Sequence, residues 1–206
     1  MKFQKKIKLM ILMILLSSGM GQAIAQVKVT DLVPARELTD DSVLEPGLLP
    51  IYIYKSFRHI DEMPFLNPKT TTEKVGKPIL FLNHHFGEKD LIFDSGVRQG
   101  IGIQMNGFLK FSEAGIYGMR ALSNDGIRVE ICSDTILMDP RVHSDRFSRQ
   151  AVLDIPKPGW YPIMIQYFQR VGTATIEMQW KLPGKTDFSV IPAEAYSHEP
   201  VSKGPS

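Results

Sequence analysis

The sequence predicts an all-β domain, an antiparallel β-sandwich or barrel, on three observations. Apolar residues recur with a period of two, tight-turn residues separate those segments at short spacing, and no convincing amphipathic helix interrupts them. Side chains on a strand alternate between faces, so each segment should bury one face and wet the other.

In chain order, the first feature stands outside that domain. Lys2, Lys5, Lys6 and Lys8 precede the apolar run Leu9 to Leu16, and Ala23-Ile24-Ala25 closes the segment. A basic region, a short apolar core and an A-x-A site make a secretory signal peptide over residues 1–25, cleaved after Ala25. A membrane-spanning helix needs about 20 strongly apolar residues, more than this run supplies, so an uncleaved anchor is only the alternative. Export to the periplasm or the extracellular space follows, with no transmembrane span after cleavage. The full chain has 24 basic against 22 acidic residues; without the four signal lysines the count is 20 against 22, a formal charge of −2. No Lys/Arg-rich block remains, and nucleic acid, whose binding rests on phosphate neutralisation, is excluded as a partner class.

Residues 26–46 are polar and acidic without a sustained period and read as a linker or loosely docked arm. The organised domain spans 47–192, and residues 193–206 read as a flexible tail. Within the domain, Ile101, Ile103 and Met105 alternate with polar or small residues, as do Ile127, Val129 and Ile131, and Ile163, Ile165 and Tyr167. The clearest case sets Ala174, Ile176, Met178 and Trp180 against Thr173, Thr175, Glu177 and Gln179. Turn signals fall at Asn106-Gly107, Ala114-Gly115, Asn124-Asp125-Gly126, Ser133-Asp134, Pro158-Gly159 and Val171-Gly172. Asn-Gly between alternating segments is a strong hairpin signal. Single helical turns could form near Asp61 to Phe65 or His143 to Arg149. The lone Cys132 ends a strand and has no basic cluster nearby to lower its pKa.

Catalytic signatures are absent: there is no G-x-S-x-G elbow, H-E-x-x-H, P-loop or dinucleotide fingerprint. His84 and His85 would face opposite sides of a strand, poor geometry for one metal. A polysaccharide-cleaving enzyme would need two carboxylates about 5–10 Å apart. Asp125, Asp139 and Asp145 are the candidates, and nothing in the sequence pairs them. The loop Asp139 to Asp145 reads either as a metal or catalytic loop around His143 or, more plainly, as an Asx/Ser-rich loop.

Five motifs in order carry a family likeness. Gly115-Ile116-Tyr117, Ser123-Asn124-Asp125-Gly126, the strand and turn leading to Ile136-Leu137-Met138-Asp139, Gly159-Trp160-Tyr161-Pro162 and Trp180-Lys181-Leu182-Pro183 fall at suitable separations. The set resembles the PA-fourteen (protective-antigen type) domain family over about residues 47 to 192. That resemblance implies a β-sandwich found in adhesins, glycosidases, glycosyltransferases and toxins and generally associated with carbohydrate. It also implies a calcium site in which two consecutive acids, joined by a cis peptide, act with a later loop. Asn124 and Asp125 match the acid pair, Gln169 the later side-chain ligand, and Val171 and Thr173 the carbonyl donors. Calcium accepts amide and backbone oxygens as well as carboxylates, but Asn124 in place of an acid lowers the site's charge and affinity. The other reading of Ser123 to Gly126 is a plain turn with Gly126 at positive φ.

Alternation places Tyr167 and Trp180 in the core, whereas Phe168 and Arg170, nearer a loop, are candidates for an exposed ligand-binding rim with Asn124 and Asp125. The sequence therefore predicts an exported, non-catalytic module that binds glycan, with calcium as the candidate cofactor. The alternative is a protein-interaction module of the cell envelope, marked by an exposed apolar patch or an open strand edge.

Overall fold

Period-two alternation does make strands here, but consecutive strands mostly lie in different sheets. The computed structural model describes residues 27–38, 44–68, 70–71 and 74–200. The expected signal peptide at 1–25 and the last residues of the expected tail, 201–206, lie outside the described residues. Among the described residues no helix is long and apolar enough to cross a membrane.

One sheet holds β1 (Val27–Val29), β4 (Asn83–Phe86), β6 (Gly115–Asn124), β9 (Arg146–Phe147), β10 (Ala151–Ile155), β12 (Ala174–Lys181) and β13 (Ser189–Val190). The other holds β2 (Glu45–Pro46), β3 (Leu49–Ile53), β5 (Ile101–Phe111), β7 (Ile127–Ile131), β8 (Asp134–Asp139), β11 (Gly159–Gln169) and β14 (Tyr196–His198). The first is ordered β1-β10-β6-β12-β13, with β9 also on β6 and β4 also on β12. The second is ordered β2-β14-β5-β11-β7-β8, with β3 also on β5. All these pairings are antiparallel except β1 with β10. The all-β sandwich expected from the periodicity is what the chain forms.

The turns do something different from what their residues suggest. Among the described residues only Cys132-Ser133 closes a tight hairpin, joining β7 to β8 with φ of 53° and 68° at the two residues. Two consecutive positive φ values are the type I′ geometry that matches strand twist. The links β5 to β6, β6 to β7, β10 to β11 and β11 to β12 instead cross from one sheet to the other. Asn106-Gly107, the strongest hairpin signal, lies inside β5. Its glycine is needed for another reason: a Cβ there would meet the Ser197 carbonyl oxygen at 2.3 Å, so only Gly lets β14 pass.

Inward faces of both sheets meet in one core that includes Ile103, Met105, Val129, Ile165, Ile176 and Met178, all fully buried. Each such side chain contributes roughly 1.5–3 kcal/mol of burial. The outer face of the second sheet was expected to be wet, yet Gln104, Arg128 and Gln166 are buried. The segment from Phe57 to Leu66, with a 3-10 turn at Ile60–Glu62, lies over it. Gln104 Nε2 donates to Leu66 O at 2.6 Å, Gln166 Nε2 to Pro64 O at 3.0 Å, and Arg128 bonds Asp61. Polar side chains on that face thus anchor a covering segment rather than meet water. A helical turn at Ile60–Glu62 overlaps the start of the first segment expected to hold one, Asp61 to Phe65; residues 143–149 instead contain β9.

Both ends of the described chain are docked more firmly than the sequence suggests. In the arm, β1 pairs β10, Leu32 is buried, and Arg36 bridges Trp160 through paired backbone bonds. In the tail, residues 193–195 form a 3-10 turn and β14 pairs both β5 and β2, burying Tyr196. Unpatterned residues can add an edge strand through backbone bonds alone, which is why periodicity overlooks them.

Candidate functional site

Strand direction brings three sheet-to-sheet crossings to one end of the sandwich. They are Asp125-Gly126 between β6 and β7, residues 140–145 between β8 and β9, and residues 170–173 between β11 and β12. The peptide Asn124-Asp125 is cis. Gly126 does not take the positive φ a plain turn would use. Its missing side chain admits the Phe168 ring, whose Cε1 would lie 2.4 Å from a Cβ.

Asp125 is buried and fastens the other two crossings. Its Oδ1 accepts the His143 backbone N–H at 3.1 Å and its Oδ2 accepts that of Arg170 at 2.7 Å. Burial raises its pKa, while the two N–H donors and the nearby charges of His143 and Arg170 pull the other way. Asn124 joins the same loops by its side chain, donating from Nδ2 to Asp145 Oδ1 at 2.9 Å and to Thr173 Oγ1 at 3.4 Å. Tyr167, in the core as expected, donates its hydroxyl to the Asn124 carbonyl at 2.5 Å. Gln169 donates to the Gly172 carbonyl at 3.1 Å, and its own side-chain oxygen is buried with no donor.

The structure therefore brings Asn124, Asp125, Arg170 and Thr173 together directly, with Gln169 beneath the same loop and Val171 exposed at its tip. Phe168 is corrected. It was expected on an exposed rim, but its side chain is fully buried, packing in the cluster of Ile53, Phe57, Ile60 and Met63 under the covering segment. Strand alternation turns it to the outer face, and the covering segment removes that face from solvent.

Sequence reasoning missed the place of Asp145, weighed as a catalytic acid and as part of a metal or Asx/Ser-rich loop with His143, but not beside Asn124. It accepts from Asn124 and also from Thr175 Oγ1 at 2.9 Å, so a second carboxylate stands beside the asparagine that replaced one. No spacing rule links residues 124 and 145, because a strand pair separates them. Asp139 is committed elsewhere: Arg146 holds both its oxygens at 2.8 and 2.6 Å, and His143 Nε2 lies 3.4 Å away without hydrogen-bond geometry.

A calcium ion is what the family likeness implies, and the donor set can be judged by chemistry. Among the described residues no three His, Cys, Asp or Glu side chains converge on one point, so an ion would depend on amide and backbone oxygens as much as on acids. An orphaned buried amide oxygen at Gln169, beside a loop fastened by the Asp125 carboxylate, suits a hard cation that takes six to eight oxygens.

The same end carries a cleft of about 370 Å3 lined by Arg58, His59, Arg141, Val142 and Arg170. Arg58 and Arg141 are exposed. His59 and Arg141 form a β-bridge, and the Ile60 N–H donates to Pro140 O at 2.8 Å, which sets the covering segment against the 140–145 crossing. Sequence gave no sign of this grouping, since the residues come from three distant segments.

Comparison with known proteins follows the same line. The family model for the PA14 domain matches residues 83–194. No curated protein sequence matches the chain. Among solved structures, an anti-sigma factor domain-containing protein aligns with a TM-score of 0.60 at 17% identity, over 79% of this chain and 50% of that one. The chain thus spans half the length of that relative. The PA14 domain of the MpAFP antifreeze protein aligns with a TM-score of 0.60 at 18% identity, over 75% of this chain and 92% of that one. The Epithelial Adhesin 9 A domain from Candida glabrata, in complex with Galb1-4GlcNAc, aligns with a TM-score of 0.57 at 10% identity, over 82% of this chain and 96% of that one.

Proposed function

The chain belongs to the PA14 domain family, and from that premise we propose that it is an exported, non-catalytic module that binds glycan at the Asn124–Asp125 end of the sandwich, with calcium as its cofactor. The observation that carries this reading is the convergence of Asn124-Asp125 with the 170–173 crossing, where one buried carboxylate fastens two loops. An adhesin domain of the same fold is described in complex with a disaccharide, which supports carbohydrate as the ligand class. The secretory leader expected over residues 1–25 agrees with a glycan met outside the cytoplasm. Family membership does not fix the ligand, because sites are grafted onto folds.

In this reading Asn124, Asp125, Gln169 and the loop carbonyls of Val171 and Thr173 would hold the ion, with Asp145 adding negative charge beside Asn124. A bound calcium would offer open coordination positions to sugar hydroxyls. The chain's own part is to hold the loops. Asp125 orders the backbone at His143 and Arg170, and Tyr167 fixes the Asn124 carbonyl from below. With Asp139 bound by Arg146, the remaining acids Asp125 and Asp145 serve structure and charge rather than proton transfer.

A glycan array probed with the chain lacking residues 1–25, in calcium and again in chelator, tests this. Calcium-dependent binding that Asp125→Ala abolishes is the expected result. Binding that persists unchanged in Asp125→Ala would remove the ion from the account, and no binding to any saccharide would overturn the glycan reading.

One observation favours the rival reading of a protein-interaction module. Leu80, Phe81 and Leu91 are 53%, 40% and 46% exposed, the first two lining a groove with His84 and Phe93. Pull-down from envelope extracts with Phe81→Ser as control would reveal a partner seated there.

A further inference from the structure

We infer that the cleft beside Asn124–Asp125 selects saccharides carrying an anionic group, a sulfate or a carboxylate, through Arg58, Arg141 and Arg170. This rests on the carbohydrate reading and specifies the ligand's chemistry. Three arginines and His59 line one cleft of about 370 Å3, with Val142 the remaining wall. Several guanidiniums elsewhere on the molecule are spent on partners: Arg128 on Asp61 and Gln166, Arg146 on Asp139, Arg120 on Gln179 and the Phe147 and Phe188 rings. Among the described residues, no salt bridge or side-chain hydrogen bond engages the guanidiniums of Arg58, Arg141 or Arg170. Of the nearest acids in sequence, Asp61 bonds Arg128 and lies 3.4 Å from His59 Nδ1, and Glu62 accepts the Arg58 backbone N–H at 3.4 Å, so neither pairs with the Arg58 guanidinium.

Guanidiniums lining one concave surface raise the positive potential there, which favours an anion. The planar fork of arginine matches the paired oxygens of a carboxylate or a sulfate, giving charge-assisted bonds stronger than neutral ones. Overall charge does not account for the grouping, because residues 26–206 carry 20 basic against 22 acidic residues. Position ties the cleft to the neighbouring site. Arg170 is the residue whose backbone N–H binds Asp125, and Arg141-Val142 immediately precede His143, the other backbone donor to that carboxylate. A saccharide held over the Asn124–Asp125 turn would therefore reach the arginines with a substituent on the same or the next sugar ring.

Matched pairs of saccharides, each neutral parent beside its sulfated or uronic-acid counterpart, give the test. The wild-type chain should bind the acidic member about tenfold or more tightly than the neutral one, with the preference shrinking as salt rises. In the double variant Arg58→Ala/Arg141→Ala the ratio should fall to within about twofold, since two of three charges are gone. Both positions are exposed, so the variant should keep the fold, and an unchanged far-ultraviolet spectrum verifies that. Equal binding within pairs, or a preference that survives the double substitution, would overturn the inference. If no saccharide binds, the carbohydrate reading fails separately. The cleft is then judged by millimolar inorganic sulfate, whose rise in Tm over equal ionic strength of chloride must appear in wild type and vanish in the double variant, or the inference falls with it.

Discussion

The two ends of the sandwich are built from opposite materials. At one end, Phe111, Tyr117, Tyr161 and Trp180 interlock, with ring centroids from Phe111 at 4.8, 5.2 and 6.1 Å. Their polar atoms are settled locally: Tyr117 OH donates to Glu113 O at 3.0 Å and Tyr161 OH to Lys157 O at 2.7 Å. At the other end, a buried carboxylate, an asparagine and a glutamine hold three crossings by hydrogen bonds, and one amide oxygen has no donor. One end is completed by ring packing and two local tyrosine hydrogen bonds. The other keeps polar capacity beyond what the loops consume, as a ligand site must.

The sharpest way to break this comparison is to hollow the aromatic end. Phe111→Ala removes a fully buried ring from that cluster, and such truncations cost about 3–5 kcal/mol. A denaturant melt should show that loss with glycan binding per folded molecule intact. A loss below about 1 kcal/mol would mean the aromatic end does not carry the stability assigned to it.

A smaller effect separates the ends by pH. Burial pushes the Tyr117 phenol up to about 12 and raises Tyr161 as well. A raised folded-state pKa means the folded protein holds the proton more tightly than the unfolded chain. The stabilisation is then full below the ordinary phenol value of 10 and is lost as pH climbs from 10 to about 12. Thermal melts across that window should fall, and Tyr117→Phe should flatten the decline. An identical decline in the variant would assign the loss to other groups, among them Tyr161, Tyr167 and Tyr196, all also raised by burial.

The difference also explains what could be read from the sequence. The aromatic end and the core were legible because strand alternation fixes which residues face inward, and Tyr167 and Trp180 fell where the period put them. Asn124, Asp125 and the 169–173 loop were legible only through an ordered motif set. Phe168 was misread because alternation says which face a side chain takes and not whether another segment covers it. Asp145, Arg58 and Arg141 were missed for a related reason. Their partners lie across sheet crossings, where spacing along the chain carries no information about distance in space. Asn106-Gly107 misled in the reverse direction, since glycine was required there by the passage of β14 and not by a turn.

The loop end's capacity for a ligand is tested most directly by a thermal melt of the chain lacking residues 1–25, with calcium titrated against chelator. A cation that binds only the folded state adds about 2.7 kcal/mol at a hundredfold excess over its Kd. A saturable rise in Tm that disappears in Asp125→Ala is the predicted result. No rise at millimolar calcium, or the same rise in Asp125→Ala, would contradict the assignment of that end as the metal-assisted binding site.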